Sequence, residues 1–308
     1  MTAELTAGPR GGRAAAVLRA SRGDLGLAAG VMAWIGAVLV ADRSGPPVEQ
    51  LGLGAATWTV LVVLLRREVP LVRAQTVIVV VLATMVEYTF SPLLEAYTYR
   101  LGTVPAYVPP GHGLVYLAAL ALGRSMLFER LRGPLVAATV VVGGVWAGHG
   151  LVLADRPDVL GAFWFCCLLG FLRWGRSRLL YVGAFVVVSW LELLGTALDV
   201  WRWAPVDPVL GIVTQGNPPS GAAGGYGWFD LYALLLAPFL VGGASRLRAW
   251  ACRMPLVARA FPPKGPSTPS REVKRPPASV TTGTSAAMSC NDSSGSQAMS
   301  TPPSATST

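Results

Sequence analysis

Repeated apolar runs, several of them near membrane-spanning length, limit what this chain can fold into more than any other feature. Eight can be marked, at about 25–41, 51–65, 74–90, 113–128, 134–153, 159–172, 179–198 and 228–244. A bilayer core takes roughly 20 apolar helical residues, so the shorter runs must extend into their flanks. Backbone polar groups find no water in hydrocarbon, so runs of this kind are expected to be helices. Composition agrees. Hydrophobic residues make up 53% of the chain and charged residues 13%, where a soluble domain carries about 25% charged residues. The expected fold is an all-α, polytopic transmembrane bundle of about eight spans.

The arginines give the expected orientation. Arg10, Arg13, Arg19 and Arg22 precede the first run, and Arg66, Arg67 and Arg73 follow the second. Arg124, Arg130 and Arg132 follow the fourth, Arg173, Arg176 and Arg178 the sixth, and Arg246, Arg248, Arg253 and Arg259 the eighth. The other loops hold one each: Arg43, Arg100, Arg156 and Arg202. Positive-inside bias therefore predicts both termini in the cytoplasm and the Arg-poor loops outside, in the cytoplasmic (inner) membrane of a bacterium. The formal charge of +9 comes from these clusters. It forms no continuous basic face, which argues against a nucleic-acid partner. Nearly all the basic residues are Arg, and with abundant Ala, Gly and Val this points to a GC-rich bacterial genome.

The chain also echoes itself at an offset of roughly 105 to 116 residues. Val40-Ala41-Asp42-Arg43 matches Leu153-Ala154-Asp155-Arg156, and Arg73, Thr84 and Glu87 match Arg178, Ser189 and Glu192. With one gap, Glu95 falls on Asp199, and Tyr97 and Tyr99 fall on Trp201 and Trp203. Val108-Pro109-Pro110-Gly111-His112-Gly113-Leu114-Val115-Tyr116 meets Asn217-Pro218-Pro219-Ser220-Gly221, which carries extra residues before Gly227-Trp228-Phe229-Asp230-Leu231-Tyr232. An even number of helices per copy makes the repeat parallel, with a pseudo-twofold axis along the membrane normal. The expected organisation is a basic N-terminus (1–24), repeat 1 (25–132), repeat 2 (133–248) and a juxtamembrane segment with a tail (249–308). From about residue 262 the tail is Pro, Ser and Thr, a composition expected to stay disordered.

Topology and repeat together place the distinctive residues at the outward helix ends. Glu87 and Glu192 each end an apolar run, and carboxylates at that depth usually face the bundle interior and find a partner. Their matched positions predict a shared cavity, with the two acids as a catalytic acid and base. Helical spacing puts Glu192, Gly195, Thr196 and Asp199 on one inward stripe. His112, where the fourth helix is expected to begin, and Asp230, about three residues inside the last, complete the expected catalytic set. Tyr97, Tyr99, Trp201, Trp203, Asn217 and Tyr226 are the expected substrate contacts, although interfacial aromatic belts give the same pattern.

Metal and cofactor chemistry find little support in the sequence. His112 and His149 are the only histidines, and Cys166 and Cys167 lie mid-run with no second pair at ligand spacing. Cys252 and Cys290 are isolated. The Gly-rich segment before Asp230 matches no nucleotide fingerprint, so no cofactor is expected. These residues suit an enzyme working by acid–base chemistry on a lipid or isoprenoid-like substrate: a lyase, hydratase or isomerase. A proton-coupled small-solute carrier and a noncatalytic scaffold or assembly factor are the competing classes. The expected partners are the bilayer and a lipid or isoprenoid-like substrate; the sequence leaves protein partners open.

Overall fold

The computed structural model describes residues 9–253 of the backbone and the side chains of 23–243. Expectations for the tail, for Cys252, for Cys290 and for the terminal arginine side chains fall outside them. The described chain is mostly helical, in the order α1 (Pro9–Asp42), α2 (Pro47–Leu65), α3 (Pro70–Tyr88), α4 (Val108–Arg124), α5 (Met126–Arg130), α6 (Arg132–Val152), α7 (Val159–Trp174), α8 (Arg178–Ala197) and α9 (Gly224–Arg253). Two short strands, β1 (Tyr97–Tyr99) and β2 (Trp201–Trp203), interrupt the helical order.

Proline starts several of these helices. Pro47, Pro70 and Pro109-Pro110 lie in first turns, where a missing N–H costs nothing because that donor has no helical partner anyway. This corrects the expected start of the fourth helix. The helix begins at Val108, and His112 lies a full turn inside it. The helix also stops earlier, at Arg124. Ser125 then accepts a hydrogen bond from the Phe128 N–H and starts the separate short helix α5. The last helix likewise begins at Gly224, which makes Asp230 its seventh residue rather than about its third. At the end of α3, Pro92 sits in a π-helical turn (Thr89–Leu93) where the regular ladder breaks. Glu95 follows at φ 55°, and Asp199 takes the same φ of 55° after α8.

Among the described residues, six helical segments are long and apolar enough to cross a bilayer: Gly23–Asp42, Pro47–Leu65, Pro70–Leu93, Arg132–Val152, Arg178–Ala197 and Gly224–Gly243. α7, with 16 residues, and α4, with 17, are shorter. The outer helices carry exposed Val81, Met85, Val141, Val145, Leu235 and Phe239, the apolar exterior of a chain that sits in lipid. α4 and α8 are instead buried over most of their surface and pack against each other. Small residues allow that approach. A Cβ on Gly183 would come within 2.5 Å of the Ala119 carbonyl oxygen, and one on Gly123 within 2.9 Å of the Leu180 nitrogen.

Polar contacts gather the loops at the two ends of the bundle. At one end, Arg124 bridges Asp24 (2.6 Å) and Glu68 (2.7 Å). At the other, buried Asp42 accepts from Gln50 (2.7 Å), Arg100 (3.1 Å) and the Tyr107 hydroxyl (2.6 Å). Asp158 does comparable work between α6 and α7. It accepts from the backbone N–H groups of Gly161, Gly216 and Ser220. Arg156 donates to the carbonyls of Trp203, Ala204 and Gln215. The long α3–α4 and α8–α9 connections are thereby folded over the bundle end.

Candidate functional site

The two connections meet as an antiparallel ribbon in which Tyr97 pairs with Trp203, Thr98 with Arg202 and Tyr99 with Trp201. Alternation along a strand sends Thr98 and Arg202 to one face and the four aromatic residues to the other. The aromatic face lies over the ends of α3 and α8. There the Tyr97 and Tyr99 hydroxyls donate to Glu87 Oε2, at 2.9 and 2.7 Å. The Trp201 and Trp203 indole N–H groups donate to Glu192 Oε2, both at 3.0 Å. Burial and the neighbouring Glu87 carboxylate push the Tyr97 and Tyr99 hydroxyls well above the usual tyrosine range, so both remain donors.

Glu87 has a third partner. His112 Nε2 lies 2.8 Å from Glu87 Oε1, and His112 Nδ1 lies 2.8 Å from the Tyr226 hydroxyl. α3 supplies the carboxylate, α4 the imidazole and α9 the phenol. A ring that donates Nε2–H to Glu87 can accept a proton from Tyr226 at Nδ1, and in its protonated form it donates from both nitrogens. Glu192 Oε1, by contrast, has no hydrogen-bond partner among the described residues.

All eight of these groups border one cavity of about 710 Å³. Its wall is otherwise overwhelmingly apolar and aromatic, including Trp34, Leu82, Phe90, Trp164, Val188 and Phe229. Gln215 also lines it. Its Nε2 donates to the Ala96 carbonyl (2.8 Å), while its fully buried Oε1 has no partner. A small number of polar groups in an apolar chamber is the usual make-up of a small-molecule site.

The expected site residues divide accordingly. Glu87, Glu192, His112, Tyr97, Tyr99, Trp201, Trp203 and Tyr226 all border the cavity. Three do not. α8 ends at Ala197, and the left-handed turn at Asp199 swings that side chain outward, where it is 61% exposed and paired with Arg202 at 2.9 Å. The expected inward stripe therefore stops at Thr196, whose hydroxyl bonds back to the Glu192 carbonyl (2.7 Å). Asn217 is exposed and accepts from the Trp203 backbone N–H (2.9 Å), holding the loop rather than facing the chamber. Asp230 lies one helical turn beyond Tyr226, buried and bonded to the hydroxyls of Tyr116 (3.1 Å) and Tyr181 (3.0 Å), in a cluster of its own.

Gln215 and Trp164 were missed because a lone Gln in a loop and a Trp in an apolar run have no distinguishing pattern. His149 is exposed on α6, Cys166 is exposed and Cys167 half-buried on α7, and no group of three or more metal-ligating side chains forms among the described residues. Comparisons of the chain with protein-family models, with curated proteins and with solved structures find no match. The identification therefore rests on length, hydropathy and geometry: this is a multi-pass membrane protein with a buried polar cluster beside an apolar cavity at one end of its bundle.

Proposed function

We propose that this protein is a membrane-embedded enzyme that protonates a carbon–carbon double bond of a lipid or isoprenoid-like substrate. The observation that carries this reading is the Glu87–His112–Tyr226 chain, whose members all border a largely apolar cavity. Tyr226 gives its hydroxyl proton to one alkene carbon, with the π pair forming the new C–H bond, and takes a proton from His112 Nδ1. Glu87 holds the imidazolium charge and fixes the ring. The neighbouring carbon, left positive, then loses a proton to Glu192, or takes up water whose proton goes to Glu192; Glu192 then gives up that proton to water and His112 takes one up, which closes the cycle. Isomerase and hydratase outcomes differ only in that last step. Asp199, Asp230 and Asn217 have no part in the chemistry.

The parallel repeat belongs to the same reading. An operation that exchanges the halves carries Glu87 to Glu192, and it carries the Tyr97–Trp203 pair to Trp201–Tyr99 while leaving Thr98 opposite Arg202. It pairs His112 with Tyr226 and Tyr116 with Asp230, both of which are hydrogen-bonded partners. Glu95 and Asp199 share a φ of 55°. These relations support eight spans arranged as two four-helix units, with α4 and α7 as the short members. The arginine distribution supports cytoplasmic termini in a bacterial inner membrane and a site that opens outward. Terminal reporter fusions that are active on the periplasmic side would refute that orientation.

The function is tested by comparing lipid and isoprenoid extracts of cells that express the wild type, Tyr226→Phe or an empty vector. The wild type should convert an unsaturated lipid into an isomer or a hydrated product, and Tyr226→Phe should not. Identical extracts from wild type and empty vector would sink the proposal.

A further inference from the structure

Two residues that line the cavity each keep one acceptor oxygen without a hydrogen bond among the described residues, Glu192 at Oε1 and Gln215 at its fully buried Oε1. Both belong to the Tyr97–Trp203 end of the ribbon: Trp203 donates to Glu192, and Gln215 donates to Ala96, the residue before Tyr97. Glu87 differs sharply from Glu192, because both its oxygens are taken, one by His112 and the other by two tyrosines. Indole N–H groups cannot supply a proton to Glu192 but do stabilise its charge. In its ionised form Glu192 keeps one oxygen free of hydrogen bonds beside a largely apolar, aromatic chamber.

From this we infer that the cavity takes a ligand with a positively charged centre beside Glu192, seated against the π-faces of the surrounding aromatic residues, with its apolar remainder along the rest of the chamber. The rings of Trp201, Trp203 and Tyr97 supply the faces, with Tyr97 and Trp203 tilted together at a centroid distance of 4.6 Å. Desolvated cation–π contact and a close carboxylate act in the same direction. This deepens the proposed reaction and rests on it in one respect, that the charge in the natural cycle is the carbocation left by protonation. The binding preference itself requires no turnover.

The test uses the full-length protein in nanodiscs of zwitterionic lipid, corrected against empty discs. Displacement of a fluorescent polyene is measured with a long-chain alkyl trimethylammonium and with its neutral isostere, which ends in a tert-butyl group. The cation should displace the polyene at least about tenfold more tightly, as expected for a desolvated cation on aromatic faces. Glu192→Gln should abolish that preference, and Glu87→Gln should retain it. Equal affinity of cation and isostere for the wild type would overturn the inference while leaving the apolar cavity as a ligand site. A preference that survives in folded Glu192→Gln would overturn it too. Failure of both compounds and of the polyene to bind would remove the inference together with the lipid-substrate reading.

Discussion

Tyr97 and Trp203 face each other across the ribbon with ring centroids 4.6 Å apart, yet their polar atoms serve different carboxylates, the hydroxyl Glu87 and the indole N–H Glu192. One packed pair thus fixes the spacing between the two acids. The ribbon is the template on which both are held, and its integrity should be measurable apart from any reaction.

Tyrosine ionisation offers a direct readout. Burial, reinforced by Glu87 beside Tyr97 and Tyr99 and by Asp42 beside Tyr107, raises all three hydroxyls above the ordinary value of 10.0. Ultraviolet titration of the folded protein should leave at least these three tyrosines un-ionised through the range where free tyrosine titrates. The linked stability is fully present below about pH 10 and falls as pH rises further, because unfolding then releases protons that the native state retains. Titration of every tyrosine near its ordinary value would contradict the ribbon.

Asp42 should prove a structural carboxylate. It is 1% exposed and accepts from three side chains that tie α1, α2 and the α3–α4 connection together. Asp42→Ala leaves Arg100 without its counter-charge, and removing one partner of a buried pair costs roughly 3–5 kcal/mol. Thermal unfolding in detergent should show a marked fall in Tm, and an unchanged Tm would refute this role.

Asp199 and Asp230 should separate from the catalytic set in opposite ways. Asp199 is exposed, and the adjacent Arg202 guanidinium holds its carboxyl below the usual range. Its contribution is present above the ordinary carboxylate pKa and is lost as pH falls through the lowered value, but solvent screening makes it small. Asp199→Asn should therefore change neither Tm nor product formation. Asp230→Leu breaks the buried contacts to Tyr116 and Tyr181 and should lower Tm by destabilising α4, α8 and α9 together. Loss of activity in a stably folded Asp199→Asn protein would return that residue to the site.

Gly195 tests the placement of Trp201. A Cβ at that position would clash with the Trp201 ring, which packs flat on α8. Gly195→Ala should push the indole off Glu192, shift tryptophan fluorescence, and reduce product formation by about tenfold or more if the Glu192 contact matters to the reaction. An unperturbed fluorescence spectrum would show that the ring has room to move.

Tyr226→Phe should reduce turnover by about 10²–10⁴-fold, the usual contribution of general acid catalysis, with little change in KM. A KM effect alone would assign Tyr226 to binding.

Several of these contacts could be anticipated from the chain alone. The helical membrane bundle follows from hydropathy, because hydrocarbon forces backbone groups to bond within their own segment. That Glu87 and Glu192 would be partnered was legible for a related reason, since a carboxylate at the end of an apolar run must find partners. The four aromatic partners were legible as a set through their matched spacing, but their function was not: an interfacial belt and a cavity lining leave the same sequence pattern.

What the sequence could not contain was the consequence of the chain turning back on itself. Helical spacing put Asp199 on the inward stripe, yet one left-handed residue after Ala197 reversed its direction. His112 read as the start of the fourth helix, yet proline suits a first helical turn and carried it a full turn inside α4, level with Tyr226, 114 positions along the chain. Hydropathy and intramembrane charge are properties of each segment, so the sequence by itself determined the helices and their buried acids. Which side chain bonds to which carboxylate depends on contacts between segments that no local pattern encodes, and only the packing of α3, α4, α8 and α9 beneath the ribbon decided it.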